Sequence, residues 1–129
     1  MSEKGQSPAC APNRAWHFYV DDMIGFAENV LTYTEGYDQA GFERSRLHYD
    51  ATVRNLELIG EAATRLPSHV REFAPQIPWR LMIATRNRLI HGYLGIDNDT
   101  LWSIVRDNIP SLLTELRALK MAAGAGLLS

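Results

Sequence analysis

The chain has 129 residues, 46% of them apolar and 22% charged, with a single Cys; that length suits one domain whose core is large enough to need no disulfide staple. The lone Cys10 excludes a disulfide framework and a cysteine zinc site, and fits a reducing, cytoplasmic setting. No apolar run approaches the ~20 residues of a membrane helix, the segment MSEKGQSPACAPNR lacks the apolar centre of a signal peptide, and a net charge of −2 excludes a globally basic nucleic-acid binder.

Residues 1–14 are polar, contain two Pro and show no apolar period, so they read as a disordered tail ahead of a helical domain over 15–122, with 123–129 as a frayed end. From Arg14 a helical period begins, with Trp16, Val20, Met23, Ile24, Ala27, Val30 and Leu31 on one stripe and Asp21, Asp22, Glu28 and Asn29 opposite. It should stop near Glu35-Gly36. Asp38 is an N-cap candidate for a second helix reaching about Arg65, roughly 40 Å long at ~1.5 Å per residue. Its stripe is Phe42, Ala51, Val53, Leu56, Ile59, Ala63 and Leu66, and the small residues Gly60, Ala62 and Ala63 predict close approach of another helix. Ser68–Phe73 can form a short helix. Pro78 stands where the first position of the next helix belongs, and that helix should end near Gly92. Asp97 or Asp99 caps the last helix, with Leu101, Val105, Ile109, Leu112, Leu116 and Leu119 as its stripe and a bend at Pro110. No segment alternates with a period of two. The expected fold is all-α: an up-and-down four-helix bundle with one additional short helix.

Charge is unevenly spread. The stretch from Ile77 to Ile96 holds Arg80, Arg86 and Arg88 and no acidic residue, which leaves the rest of the chain at −5. Such a patch can bind phosphates even on an acidic protein, or it is simply a solvated helix face. At 100° per residue Trp79, Met82, Ile83, Leu89, Ile90 and Tyr93 surround Arg86. A guanidinium there is costly unless it faces a functional cleft or pairs with a carboxylate, for which Glu57 and Glu61 are the candidates. Asn87 and His91, four apart, share a flank of the same helix. Arg and His together can cleave a phosphodiester: the His moves a proton near neutral pH, and the Arg neutralises the phosphorane oxygens. That chemistry requires no metal, and no carboxylate cluster is present to hold one; Asp97-Asn98-Asp99 lacks the Gly and distal Glu of a calcium loop. His17, His48 and His69 lie on different elements. By itself Tyr93 reads as a half-buried aromatic at a helix end.

The run Arg86-Asn87-Arg88-Leu89-Ile90-His91-Gly92-Tyr93 resembles the Arg–polar–x3–His–x–Tyr motif of the HEPN superfamily, and its HepT-like branch in particular. Asn55–Ala62 upstream, Ile77-Pro78-Trp79 just before and Leu101-Trp102 after agree with it, over about residues 15–120. The resemblance implies a helical-bundle homodimer whose facing motifs form one cleft, and a metal-independent endoribonuclease acting on RNA. Arg86, Asn87 and His91 would be catalytic, with Glu61 and Arg88 as supporting residues; Glu61 could equally be exposed. HepT-like proteins are similar to the toxin half of a toxin–antitoxin pair whose partner is a minimal nucleotidyltransferase. Tyr93 then corresponds to the position that the partner adenylylates to silence the toxin. The other reading is a non-catalytic helical module that binds a nucleotide or substrate alongside a nucleotidyltransferase.

Overall fold

The stripe predicted for the first helix is the inner face of α1 (Ala11–Thr34). Trp16, Val20, Met23, Ala27 and Val30 are fully buried, while Ile24 and Leu31 pack half-buried against them. Helix formation starts at Ala11, one turn ahead of the apolar period. The Thr34 hydroxyl donates to the Val30 carbonyl at 2.8 Å, and Gly36 at φ +82° turns the chain out of the helix. The coordinates are a computed structural model that describes residues 11–91 and 96–128.

The single long second helix is corrected. Asp38 does cap a helix, its carboxylate accepting from the Gly41 N–H at 2.8 Å, but that helix is the short α2 (Gln39–Arg44). A new helix, α3 (Arg46–Thr64), begins after Ser45, whose ψ of 88° breaks the run. The Ser45 hydroxyl lies 2.6 Å from His48 Nδ1, and the Tyr37 hydroxyl lies within 3.4 Å of both groups. A local side-chain network therefore competes with helical continuation at a residue of modest helix propensity. The 19 residues of α3 span about 28 Å. Its inner face holds Thr52 and Asn55 in place of the expected Ala51 and Val53. Asn55 is satisfied by Asn29 of α1 and by the Ala51 carbonyl.

Helix α4 (Ser68–Phe73) is the predicted minor helix. Pro78 is the N-cap of α5 (Trp79–Ile90), one position earlier than expected, and Met82 N–H closes the first turn on its carbonyl. Asp97 caps α6 (Asn98–Ser103) by accepting from Thr100 N–H at 2.8 Å. The interruption expected at Pro110 takes the form of a π turn, Ile104–Asn108, before α7 (Ile109–Gly124). Ile109 N–H reaches back five residues to the Ile104 carbonyl. The widened turn accommodates a residue that has no N–H and whose ring would strike the carbonyl four residues back. α7 closes in a Schellman arrangement: Leu127 N–H bonds Ala122 O, Gly126 N–H bonds Ala123 O, and Gly126 takes φ +82°.

All the described elements are helical. α3 packs between α1 and α5, and α1 packs between α3 and α7. Leu101, Val105, Ile109, Leu112, Leu116 and Leu119, the predicted last stripe, are all buried in the common core. Among the described residues, no helix is long and apolar enough to cross a membrane.

Candidate active site on α5

The centre of burial on α5 runs through Trp79, Met82, Thr85 and Leu89. Arg86 therefore borders the core rather than sitting mid-stripe; Ile83 is half-buried and Ile90 is 49% exposed. Thr85 can turn inward because its hydroxyl donates to the Leu81 carbonyl at 2.7 Å. A guanidinium has no such local acceptor for its five donors and stays at the rim.

Gly60 decides how closely Arg86 approaches α3. A Cβ on Gly60 would overlap Arg86 Cβ and stand 2.6 Å from the Met82 carbonyl oxygen. The aliphatic stem of Arg86 thus lies directly across the α3 backbone, and its head extends to Glu61. Arg86 Nη2 donates to Glu61 Oε1 at 2.6 Å, with side-chain exposures of 28% and 39%. Glu61 is held from the other side by Arg65, whose Nε and Nη2 donate to Oε2 at 3.3 and 3.2 Å. Hydrogen bonding from Arg65, followed by the charge of Arg86, holds the Glu61 carboxyl below the ordinary carboxylate range. Glu57, the other candidate partner, pairs with Arg54 at 3.2 Å.

Arg86 Nη1 donates to Asn87 Oδ1 at 2.8 Å. On a helical wheel Arg86 and His91 point roughly 140° apart, but Asn87 and His91 share a flank. Asn87 therefore draws the guanidinium toward the His91 side. His91 is the C-cap of α5 and is exposed. Among the described residues Arg86 engages Glu61 and Asn87 through one N–H each, and the Arg86–Glu61–Arg65 cluster carries a net +1. Glu61, Arg86 and Asn87 are thus brought together by direct contacts. Arg88 is not; it lies on another face of α5, lining a groove with Thr85, Thr100, Ser103 and Asn108. Tyr93, with Gly92, falls outside the described residues.

A groove of about 660 Å³ adjoins this end of α5, between α3 and the start of α6. Tyr49, Val53, Leu89 and Ile96 line its apolar part, and the Tyr49 hydroxyl donates to Asn98 Oδ1 at 2.6 Å. Burial, then the nearby Glu43 and Asp50 carboxylates, raise the Tyr49 pKa. Its rim arginines are neutralised, Arg46 by Asp50 and Arg54 by Glu57. Sequence reasoning missed this groove and the clamp by Arg65; the close helix approach expected at Gly60 is present, and what the sequence did not show is that the Arg86 stem fills it. An Arg four residues after Glu61 was a legible signal for the clamp. Among the described residues, no three His, Cys, Asp or Glu side chains gather as a metal site.

A family model described as "Ribonuclease HepT-like" matches residues 23–119. "Putative RNase MJ1380" of Methanocaldococcus jannaschii is 36% identical over 98 residues, covering 76% of this chain and 90% of that protein. "Probable ribonuclease HepT" of Thermococcus cleftensis is 34% identical over 102 residues, covering 79% and 93%. No solved structure matches the chain.

Proposed function

The chain belongs to the HepT-like ribonuclease family, and from that premise we propose that it is a metal-independent endoribonuclease acting as the toxin of a toxin–antitoxin pair. The observation that carries the reading is the seating of Arg86. Its stem lies on Gly60, its head is oriented by Glu61 and Asn87, and Asn87 shares a flank with the exposed His91. An arginine fixed in this way can meet a phosphate with little loss of side-chain freedom.

In the proposed reaction the RNA 2′-hydroxyl attacks the adjacent phosphorus. His91 accepts the hydroxyl proton, and Arg86 neutralises the equatorial oxygens as charge builds in the phosphorane. The bond to the 5′-oxygen breaks and that oxygen takes up a proton from a protonated imidazole. The products are a cyclic 2′,3′-phosphate end and a 5′-hydroxyl end. Asn87 keeps Arg86 turned toward His91. Two copies of the chain, with their motifs facing, would form the cleft in which this occurs.

Silencing follows from charge and bulk. Adenylylation of Tyr93, two residues from His91, by a minimal nucleotidyltransferase would place a phosphate in the cleft, where it would pair with Arg86 and exclude RNA. Intact mass tests this step. Co-expression with the nucleotidyltransferase should add whole adenylyl units to the wild type and none to Tyr93→Phe; an unchanged wild-type mass would remove the silencing model.

Cleavage itself is tested with purified wild type, Arg86→Ala and His91→Ala on single-stranded RNA. Both variants should lose at least a hundredfold in kcat, and a chelator should leave the wild type unaffected. Equal inertness of all three proteins, or abolition by chelator, would refute the proposal. The ion pair of Arg86 with Glu61 favours a second reading, in which Arg86 is a structural or nucleotide-binding group of a non-catalytic module. Expression distinguishes the two: growth inhibition that depends on His91 supports the nuclease, and tight nucleotide binding without toxicity supports the module.

A further inference from the structure

The cations of this protein are unequally partnered. Arg46, Arg54, Arg65, Arg86, Arg117 and Lys120 each pair with a carboxylate within 4 Å. Among the described residues Arg44, Arg71, Arg80, Arg88 and Arg106 have no such partner, although Arg106 lies over the Trp102 ring. Two of the five stand on α5 and a third, Arg71, on the neighbouring α4. Arg71 and Arg80 both line a groove of about 600 Å³ between α4 and the start of α5, with Ser68 and Glu72 as its other polar groups and Pro75 and Pro78 as stiff walls. Glu72 pairs with neither arginine, so the groove keeps a net charge of +1.

The groove is aligned with the candidate active site. Arg80, Ala84, Asn87 and His91 recur at i, i+4, i+7 and i+11, within roughly 60° of one another around the helix, and all four are exposed. This stripe carries no acidic residue and runs about 16 Å from Arg80 to His91. A strand whose scissile phosphate sits beside His91 and that follows α5 toward its N-terminus reaches Arg80 after a few nucleotides.

We propose that the Arg71–Arg80 groove is a second subsite of the nuclease, holding one backbone phosphate of single-stranded RNA at a distance from the cleaved bond. The inference rests on the ribonuclease reading for the identity of the strand, while the subsite itself can be tested by binding alone. Two guanidiniums suit a phosphodiester because each presents paired N–H donors to its oxygens. Ser68 adds a hydroxyl that can donate to the same group. The contact contributes to substrate binding and to the length of RNA the enzyme prefers, and reads no base.

The test uses the full chain, Arg71→Ala/Arg80→Ala, and Arg117→Ala as a control for general loss of charge. Binding is measured by anisotropy with a labelled single-stranded RNA of about twelve nucleotides, 2′-O-methylated so that it cannot be cut. The double variant should bind roughly tenfold more weakly than the wild type, and the slope of log K against log salt should fall by about 0.7. Arg117→Ala should match the wild type. Cleavage gives a second readout: the wild type should prefer the long RNA to a dinucleotide in kcat/KM, and the double variant should lose that preference through KM. Wild-type affinity and salt slope in the double variant would overturn the proposal. So would an RNA-neutral double variant that no longer binds the nucleotidyltransferase, since the groove would then be a protein-docking surface. If the wild type binds the uncut RNA through these arginines but cleaves nothing, the subsite stands and the nuclease reading falls.

Discussion

A methyl group on residue 60 has nowhere to go: it would overlap Arg86 Cβ and crowd the Met82 carbonyl, neither of which can turn away as a flexible side-chain end could. Alanine is the better helix former by about 1 kcal/mol, but overpacking against backbone costs about 1–3 kcal/mol, so the clash wins. Gly60→Ala should lose up to about 2 kcal/mol in denaturant unfolding. Because the lost contact is the seat of Arg86, its RNA cleavage should fall far more than the small unfolded fraction explains. Cleavage equal to wild type in a folded Gly60→Ala protein would show that the seat is unimportant to the chemistry. Glu61 makes a pH-dependent prediction at the same scale. Its carboxyl is held below the ordinary value by Arg65 and then Arg86, so the folded state binds its proton less readily than the unfolded chain. The stabilisation is therefore complete above the ordinary carboxylate pKa near ~4.3, and it fades as pH falls through the lower folded value. Glu61→Gln should be less stable than wild type at pH 7, and the difference should vanish in acid; a gap that persists in acid would assign the effect to packing instead of charge.

At the level of elements, α6, the π turn and α7 form one continuous helical run whose register is set on both sides of Pro110 by buried residues: Leu101, Ile104 and Val105 before it, Ile109 and Leu112 after it. The π turn inserts one residue while keeping both groups on the core side. Deleting Asp107, an exposed residue of that turn, would restore α spacing and bring the Pro110 ring against the carbonyl of the preceding turn. This deletion should cost on the order of 3 kcal/mol, and Pro110→Ala in the same chain should recover most of it. Pro110→Ala alone should change stability by less than about 1 kcal/mol, because core packing rather than the proline holds the turn open. Thermal melts of the three proteins decide this; a deletion that is harmless with Pro110 present would mean the turn is not proline-adapted. The same elements mark how far the sequence could be read. The stripes of α1 and α7 were legible because every third or fourth residue is large and apolar over several turns. The break at Ser45 was not, since no Gly or Pro marks it and the competing bonds come from Tyr37 and His48. On α5 the period is ambiguous: Ile83 and Ile90 draw the predicted face toward Arg86, whereas the structure buries Thr85, whose hydroxyl finds an acceptor one turn back. Glu57 and Glu61 stand one turn apart on α3 with equal claims from spacing, and Arg65 and the bare Gly60 decide between them.

For the whole molecule the question is whether one copy suffices. Arg86 and His91 leave α5 roughly 140° apart, and the reach of Arg86 toward the His91 flank ends at Asn87. A single protomer therefore presents the proposed phosphate-binding group, Arg86, and the proposed proton-transfer group, His91, around the edge of one helix, not toward one point. If two-fold packing sets α5 against the α5 of a second copy, each phosphate can meet Arg86 of one protomer and His91 of the other, since an isologous interface builds the site twice. This arrangement has a distinctive consequence for mixed proteins. On the proposed roles, Arg86→Ala and His91→Ala should each be inactive alone. Unfolded together and refolded at equal concentrations, half of the dimers are mixed. Each mixed dimer carries one site with both groups intact and one with neither. Cleavage should return to about a quarter of the wild-type rate, and should disappear when either variant is diluted out by a large excess of the other. If each site instead takes both groups from one protomer, no mixture contains an intact site and the refolded sample stays as inactive as its parents. The double variant Arg86→Ala/His91→Ala, refolded with wild type in an increasing excess of the variant, provides the complementary measurement. In a shared site every mixed dimer is dead, so the activity per wild-type chain should fall as the variant is added; in independent sites it should not change.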